Sequence, residues 1–500
     1  MRIARVLGVI GRLLRVFCFG FVPPMLLSLW DGWNGHADEY LAAGHFAVAG
    51  LVTWGAGMLF ARGFEPRPDF RRSEALGVVA GSWLVISIFA AIPYLLAGLS
   101  WDDALFESMS GFTTTGATIL QDFDAYGRGF FLWRSMTQWF GGLGVIALFV
   151  VVLPQLGIAG RQLFFAETST APSEIVSSRV RESARRLWIL YVSLTVALVS
   201  LLMLVADFPL YESVCHALTT MSAGGFSPSG TSIAGYENPA AEWILVVFML
   251  LAGTSFPLLW VGLTRNPLEI WKDGEFKFYL LVTGIGCAAL AFLLAPAFPG
   301  EDAWRAGAFQ AASLVSSTGY ASTDYNLWAD SSKAILILVM LVGGCAGSAA
   351  GGPKAIRNLF ALKFVWREIT RSLHPRAVLP LRHKGHAVAD PIVRAVLNLV
   401  FLYLIGYFVV GFSLTLMGED LVTAFSASLA CMGNIGPGFE SVGPMGNFAS
   451  FSTPAKLLLT AAMWLGRLEI VTVLALLHPD VLRRLRWNDQ GRRIGSSSKG

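Results

Sequence analysis

The sequence predicts an all-α polytopic membrane protein: four helix–pore loop–helix repeats around a central pore, preceded by two extra N-terminal helices. Three observations predict it: a shortage of charge, an alternation of basic and acidic connecting segments, and a fourfold internal repeat. Of 500 residues, 55% are hydrophobic and 14% charged, against about 25% charged in a soluble domain. That leaves too little polar surface to cover a globule in water, so lipid is the expected solvent. Apolar runs near the roughly 20 residues that cross a bilayer occupy 76–98, 187–206, 243–263, 278–297, 392–417 and 456–477. Lipid offers no hydrogen bonds to open backbone, so each run is expected to be helical.

The net charge of +4 says little, but its distribution says more. Segments 61–72, 157–186, 265–277, 354–384 and the tail after His478 are rich in Arg and Lys. They alternate with acidic segments 31–40, 101–124, 207–242, 301–330 and 419–440, and 207–242 holds neither Lys nor Arg. The positive-inside rule puts the basic set in the cytoplasm, and with it both termini (Arg2 and Arg5; Arg483, Arg484 and Arg486). Arg2, Arg5, Arg12 and Arg15 ahead of 16–30 resemble the start of a signal peptide, but no small-residue cleavage site precedes Asp31. This run reads as a retained first helix, with a second over 41–60. The five cysteines, Cys18, Cys215, Cys287, Cys345 and Cys431, have neither CxxC nor Cys/His spacing, so no disulfide framework or zinc site is expected.

Each of the last four acidic segments has the same layout. It opens with acids (Asp102 and Asp103; Asp207 and Glu212; Glu301 and Asp302; Glu419 and Asp420) and continues as an amphipathic stretch too short to span. It closes in a glycine-containing turn: SGFTTTGAT at 110–118, TMSAGGFS at 220–227, SSTGYAS at 316–322 and GNIGPG at 433–438. Aligned on Gly116, Gly225, Gly319 and Gly436, the turns lie 109, 94 and 117 residues apart. The expected organisation is two leading helices in 1–70, repeats over 71–160, 161–270, 271–375 and 376–485, and a cytoplasmic tail over 486–500. Backbone that enters the membrane and returns is tolerated only where it is buried in protein or lines a wet cavity. Rings of carbonyls in such a cavity can replace the hydration shell of potassium, and glycine keeps side chains out of the passage. The candidate filter is Thr114, Thr115 and Gly116; Ala223, Gly224 and Gly225; Ser317, Thr318 and Gly319; Asn434, Ile435 and Gly436. The hydroxyls of Thr115 and Thr318 either add oxygens or brace the loops.

At these residues the sequence resembles the Trk/Ktr/HKT superfamily of potassium transporters, most closely its bacterial TrkH-type branch. The matching motifs are 110–118, QWFGGLGV at 138–145, 316–325, GGCAGSAAGGPK at 343–354, 434–438 and GRLE at 466–469, so the likeness covers nearly the whole chain. Two details depart from the pattern: Ala-Gly-Gly in the second turn, and Pro353 where a β-branched residue is usual. The resemblance implies potassium uptake across a bacterial inner membrane through a gated, channel-like pore, with potassium as substrate held at Thr114, Thr115, Thr318 and Asn434. It implies a homodimer with a cytosolic, TrkA-like nucleotide-binding regulatory subunit, and no cofactor or nucleic acid. Whether uptake is passive or a symport stays open. A sodium-coupled or sodium-permeable carrier of the same fold is the alternative, and glycine at all four filter positions favours potassium.

The resemblance also implies that the run containing Gly343, Gly344, Gly347, Gly351 and Gly352 is an intramembrane gating loop, against a helix-packing surface of small residues. It implies that Arg467 projects into the pore; the alternatives are a structural pair with Glu469 or snorkelling to the cytoplasm. Lys354 and Arg357 serve either the gate or anchoring. Asp102, Asp103, Asp122, Asp124 and Glu440 either concentrate cations at the mouth or are solvated charges, and anionic lipid can meet the basic segments. Gly141, Gly142 and Gly144 are expected to serve close helix contact, and His374, His383 and His386 to lie in a solvated loop. Arg467 with Glu469 is the one clear ionisable cluster within a span, and no P-loop signature occurs. An intramembrane enzyme or an ATPase is therefore not expected.

Overall fold

The computed structural model describes residues 2–62, 72–147, 173–298, 300–383 and 386–483. The expected tail over 486–500, with Arg484 and much of the basic segments 61–72 and 157–186, lies outside the described residues. Among those described, six helices are long and apolar enough to cross a membrane: Ile3–Trp33, Glu39–Ala61, Ser73–Leu96, Glu182–Val205, Gly274–Leu294 and Asp390–Leu416. The protein is all-α and polytopic, and its two-residue strands Arg382–His383 and His386–Ala387 pair antiparallel. His383 and His386 thus sit in a small hairpin where the sequence suggests plain loop. The backbone ladder and the His383 ring, 5.7 Å from that of Phe360, give that segment a structure its composition does not announce.

Two further spans are broken. Pro239–Ala252 and Phe256–Thr264 meet at 104°, and Thr453–Arg467 and Ile470–Leu477 at 109°, where unbroken helices are expected over 243–263 and 456–477. Hydrophobicity reports the length of a crossing but not a bend within it. At the first break, Pro257 lacks an N–H and favours a fresh helix start. At the second, Glu469 holds a left-handed φ of 63°. The freed groups find partners elsewhere: Cys345 N donates to Gly253 O at 2.8 Å, Ala349 N to Ala252 O at 3.1 Å and Phe256 N to Gly347 O at 3.0 Å.

Each repeat supplies a short helix between its two flanking helices. These are Trp101–Phe112, Leu210–Met221, Glu301–Val315 and Leu421–Met432, at 1.5 Å per residue too short to span. The acids that open them are placed to meet the N-terminal end of the helix dipole, and one caps it directly. Asp420 Oδ1 accepts from Val422 N at 2.9 Å and Thr423 N at 3.1 Å. These helices are buried almost throughout, and the apolar cores join one repeat to the next. One joins the first and fourth repeats, one the second and third, and one the third and fourth.

The leading helices are one bent span, Ile3–Phe17, a 3₁₀ turn Cys18–Phe21 and Val22–Trp33, followed by Glu39–Ala61. Glycines let the two backbones touch. A Cβ on Gly11 would sit 2.6 Å from Ala61 N, and one on Gly57 would sit 2.8 Å from Arg15 Cγ. This pair is tied to the first repeat by Phe21 stacked on Trp133 at 4.4 Å, by Arg128 gripping both carboxylate oxygens of Asp31 at 2.9 and 2.7 Å, and by Arg2 on Glu74 at 2.7 Å. Replacing Gly57→Leu should push the two helices apart and lower the midpoint of thermal unfolding of the detergent-solubilised protein, whereas Gly44→Leu, which meets open space, should not.

Candidate functional site

The four short helices terminate alike. Thr115 N reaches Ser110 O, Gly224 N reaches Thr219 O, Thr318 N reaches Ser313 O and Ile435 N reaches Ala430 O, each at 2.8 Å. This is the wide closing bond of a Schellman-type helix end, which requires a left-handed residue just before it. Thr114, Ala223, Ser317 and Asn434 fill that place with φ of 51°, 55°, 55° and 50°. Two residues further on, Gly116, Gly225, Gly319 and Gly436 are again left-handed, at 85°, 78°, 83° and 102°.

Those four glycines have no room for a side chain. A Cβ on Gly116 would strike Gly224 O, one on Gly225 would strike Thr318 O, one on Gly319 would strike Ile435 O, and one on Gly436 would strike Thr115 O. The four carbonyls come from one repeat position, and each faces the glycine of the loop before it. The loops therefore close a ring in the order first, second, third, fourth and back to first. The twelve residues predicted from sequence are brought together there, and Thr114, Thr115, Ser317, Thr318 and Asn434 are fully buried.

The hydroxyls of Thr115 and Thr318 bond within their own turns, to Thr113 Oγ1 and Ser316 Oγ at 2.7 Å. Thr114 Oγ1 and Asn434 Oδ1 have no hydrogen-bond partner among the described residues. Asn434 Nδ2 donates to Thr115 Oγ1 at 3.0 Å and to Met463 O at 2.9 Å, tying the fourth loop to the first.

The ring is braced from behind by residues to which the sequence assigns no role, although Gln138 opens the motif at 138–145. Gln138 donates to Gly224 O at 2.7 Å and accepts from Phe226 N at 3.1 Å. Arg134 pairs with Glu107 at 2.7 Å in a buried contact. This corrects the expectation that Arg467 and Glu469 are the one ionisable cluster inside the spans. The available signal was a lone Arg134 in an otherwise apolar run and a Glu107 inside a short helix. Gly141 lies against Phe112 O, Gly142 against Tyr191 and Ser222, and Gly144 against Trp83. That is the close contact their spacing predicts.

After the third turn, residues 341–354 leave the helix Asp330–Met340 as non-helical backbone before Ala355–Leu373 begins. Gly343, Gly347 and Gly352 are left-handed at 72°, 79° and 75°. Gly344 and Gly351 are crowded by neighbouring chain. Gly351 N donates to Ser317 Oγ, and a Cβ on Gly351 would lie 2.7 Å from that of Asn434. The segment is thus an ordered loop seated on the third and fourth turns, not a helix-packing surface.

Glu275 holds its base, accepting from Ala346 N at 2.6 Å and Ile356 N at 3.2 Å. Arg467 is 5% exposed and donates to Ala349 O at 2.9 Å; its Nε and Nη2 have no partner among the described residues. It neither snorkels nor pairs with Glu469, whose carboxylate is held by Arg357. Lys354 is buried and donates to Ala350 O. Of the acids that open or follow the short helices, Asp103 pairs with Lys456 at 2.5 Å and Glu440 with Lys333 at 3.6 Å. Asp102 accepts from Thr453 Oγ1 at 2.7 Å.

With this geometry in view, the relatives are informative. The TrkH family model, described as a cation transport protein, matches residues 55–480. The chain belongs to the TrkH family. Membership of a family of cation transport proteins points to transport and not to enzymatic catalysis. The chain is 32% identical to the Trk system potassium uptake protein TrkH of Halomonas elongata, covering 97% of this chain and 100% of that one. It is 32% identical to TrkG of Escherichia coli, covering 93% and 96%. The crystal structure of the potassium transporter TrkH from Vibrio parahaemolyticus superposes with a TM-score of 0.87 at 30% identity, covering 96% of this chain and 100% of that one.

Removing the Glu275 carboxylate leaves two buried amides of the 343–356 segment without an acceptor. Glu275→Ala should speed amide hydrogen exchange across that segment by about tenfold relative to the rest of the protein, read by mass spectrometry.

Proposed function

We propose that this chain carries potassium into a bacterial cell through a pore whose selectivity filter is the ring of four loops. The observation that supports it most is the closed set of carbonyls from Thr115, Gly224, Thr318 and Ile435. Oxygens held in such a ring replace the water of a potassium ion, and left-handed glycines let the chains approach closely enough to hold them. In this reading Thr114, Thr115, Thr318 and Asn434 offer oxygens to the ion, and each of the four repeats is one quarter of the pore wall. The potassium uptake proteins among the relatives support the choice of ion.

The loop over 343–354 is the proposed gate, because it is non-helical, glycine-rich and seated against the ring. Arg467 is its electrostatic partner: a buried cation on the ion's route raises the barrier to potassium until the loop moves. The proposal includes an inner-membrane location with both termini cytoplasmic, a homodimer, and a cytosolic nucleotide-binding regulatory subunit. The relatives' naming as parts of a Trk system fits a chain that works with other components.

Rubidium uptake into potassium-loaded proteoliposomes tests the reading directly. Uptake should be blocked by external potassium and not by sodium, with the regulatory subunit added where the pore alone is closed. Gly116→Ser and Gly319→Ser should each lower discrimination against sodium; unchanged selectivity in a folded variant overturns the filter assignment. Arg467→Ala should raise flux at a fixed gradient, and an unaltered rate removes that residue from the gate.

A further inference from the structure

The position nine residues before each ring glycine is occupied by Glu107, His216, Gln310 and Ala427, and the position two residues after it by Thr118, Ser227, Ala321 and Gly438. In the first two repeats these positions are bonded to each other. Glu107 accepts from Thr118 Oγ1 at 3.2 Å and from Ile119 N at 3.0 Å, and His216 Nε2 meets Ser227 Oγ at 3.1 Å. In the third, the Gln310 amide has no partner among the described residues, and in the fourth Ala427 has no polar group. The third and fourth exits are held from neighbouring positions instead, by Ser313 Oγ on Tyr320 O at 2.7 Å and by Ser426 Oγ accepting from Phe439 N at 3.0 Å, so an ionic brace at this register is particular to the first loop.

Arg134 joins the first and second exits. Its Nε donates to Glu107 at 2.7 Å, its Nη2 to Thr118 Oγ1 at 3.2 Å and its Nη1 to Ser227 O at 3.2 Å. The guanidinium lies 4.0 Å from the Phe226 ring centroid and 5.6 Å from those of Phe123 and Phe131. Both side chains of the pair are 2% exposed or less. A desolvated pair holds its geometry strictly, because either charge alone is costly at that depth. The planar guanidinium also fixes three directions at once. A neutral side chain suffices to hold one loop, as Gln138 does for the second; Arg134 spans two loops.

We propose that the Glu107–Arg134 pair is a positioning clamp that sets ion discrimination by fixing the separation of the first and second loop exits. It touches no ion and acts through the Thr118 hydroxyl, the Ile119 amide and the Ser227 carbonyl. The inference rests on the reading of the four loops as a potassium filter.

The test is rubidium uptake with sodium as competitor, on purified protein in proteoliposomes with monodispersity checked in detergent. Four variants are compared: Glu107→Gln, the double variant Glu107→Gln with Arg134→Gln, Thr118→Val, and Gly116→Ser as the reference for the filter itself. The double variant leaves no unpaired buried charge, and Thr118→Val keeps the pair and its bond from Ile119 N while removing the hydroxyl link to the first loop. Glu107→Gln and the double variant should lose about tenfold in rubidium-over-sodium discrimination and Thr118→Val about threefold, with rubidium uptake still measurable. A purely structural pair would lower protein yield or all fluxes together and leave the ratio alone. If the double variant and Thr118→Val keep the ratio while Gly116→Ser lowers it, the clamp is overturned and the filter stands. If Gly116→Ser also keeps the ratio, the filter reading falls first.

Discussion

Backbone amides and carbonyls at membrane depth have no water to turn to, and nearly every irregular feature of this chain is a response to that constraint. Four short helices enter and return, two spans bend by more than 100°, and residues 341–354 run as open chain. Each departure frees polar groups that protein must satisfy. The ends of the short helices close on themselves through the 2.8 Å bonds of Thr115, Gly224, Thr318 and Ile435. The break between Ala252 and Phe256 and the 343–354 loop satisfy each other, through Gly253 O, Ala252 O and Gly347 O. Side chains serve where backbone does not reach: Gln138 on the second loop, Ser317 and Glu275 on the 343–354 loop.

The same constraint explains where the buried charges sit. Charges at this depth are costly unless paired, and the buried ones named here tie a helix to a loop or to another helix. Arg134 and Glu107 lie behind the exits of the first two loops, and Arg357 and Glu469 join the helices that resume after two breaks. Arg467 spends one nitrogen on Ala349 O and leaves two unpartnered among the described residues. Left-handed backbone at Thr114, Ala223, Ser317 and Asn434 adds strain of about 1–3 kcal/mol at each. Such strain persists only where the surroundings over-determine the conformation, as the buried ring does. In the proposed reading, strain and charge are both concentrated along the route of the ion.

Much of this is legible in the sequence for simple reasons. Length and apolarity mark a crossing, so the straight spans and the second leading helix are found within a few residues; the first, expected over 16–30, begins at Ile3, because Arg5, Arg12 and Arg15 interrupt the apolarity of its first half. The internal repeat marks the four turns, because glycine is needed wherever φ is positive and chain meets chain. The bends are not legible: Trp243 to Leu263 carries no charge, and Lys456 to Leu477 reads as one run on either side of Arg467 and Glu469. Nor is the partner of a charge. Glu469 lies two residues from Arg467, yet binds Arg357, which is 112 positions away.

By itself, then, the sequence determined the solvent, the fourfold repeat and the glycines of the turns. These follow from local chemistry: transfer of apolar surface into lipid, the period of the chain, and the φ that only glycine adopts freely. The tertiary structure alone decided the order in which the loops close, the seat of the 343–354 segment against Ser317 and Asn434, and the pairing of Glu107 with Arg134. Those depend on which distant segments share a buried, low-dielectric space, where a group must find a partner and takes the one that packing brings within 3 Å.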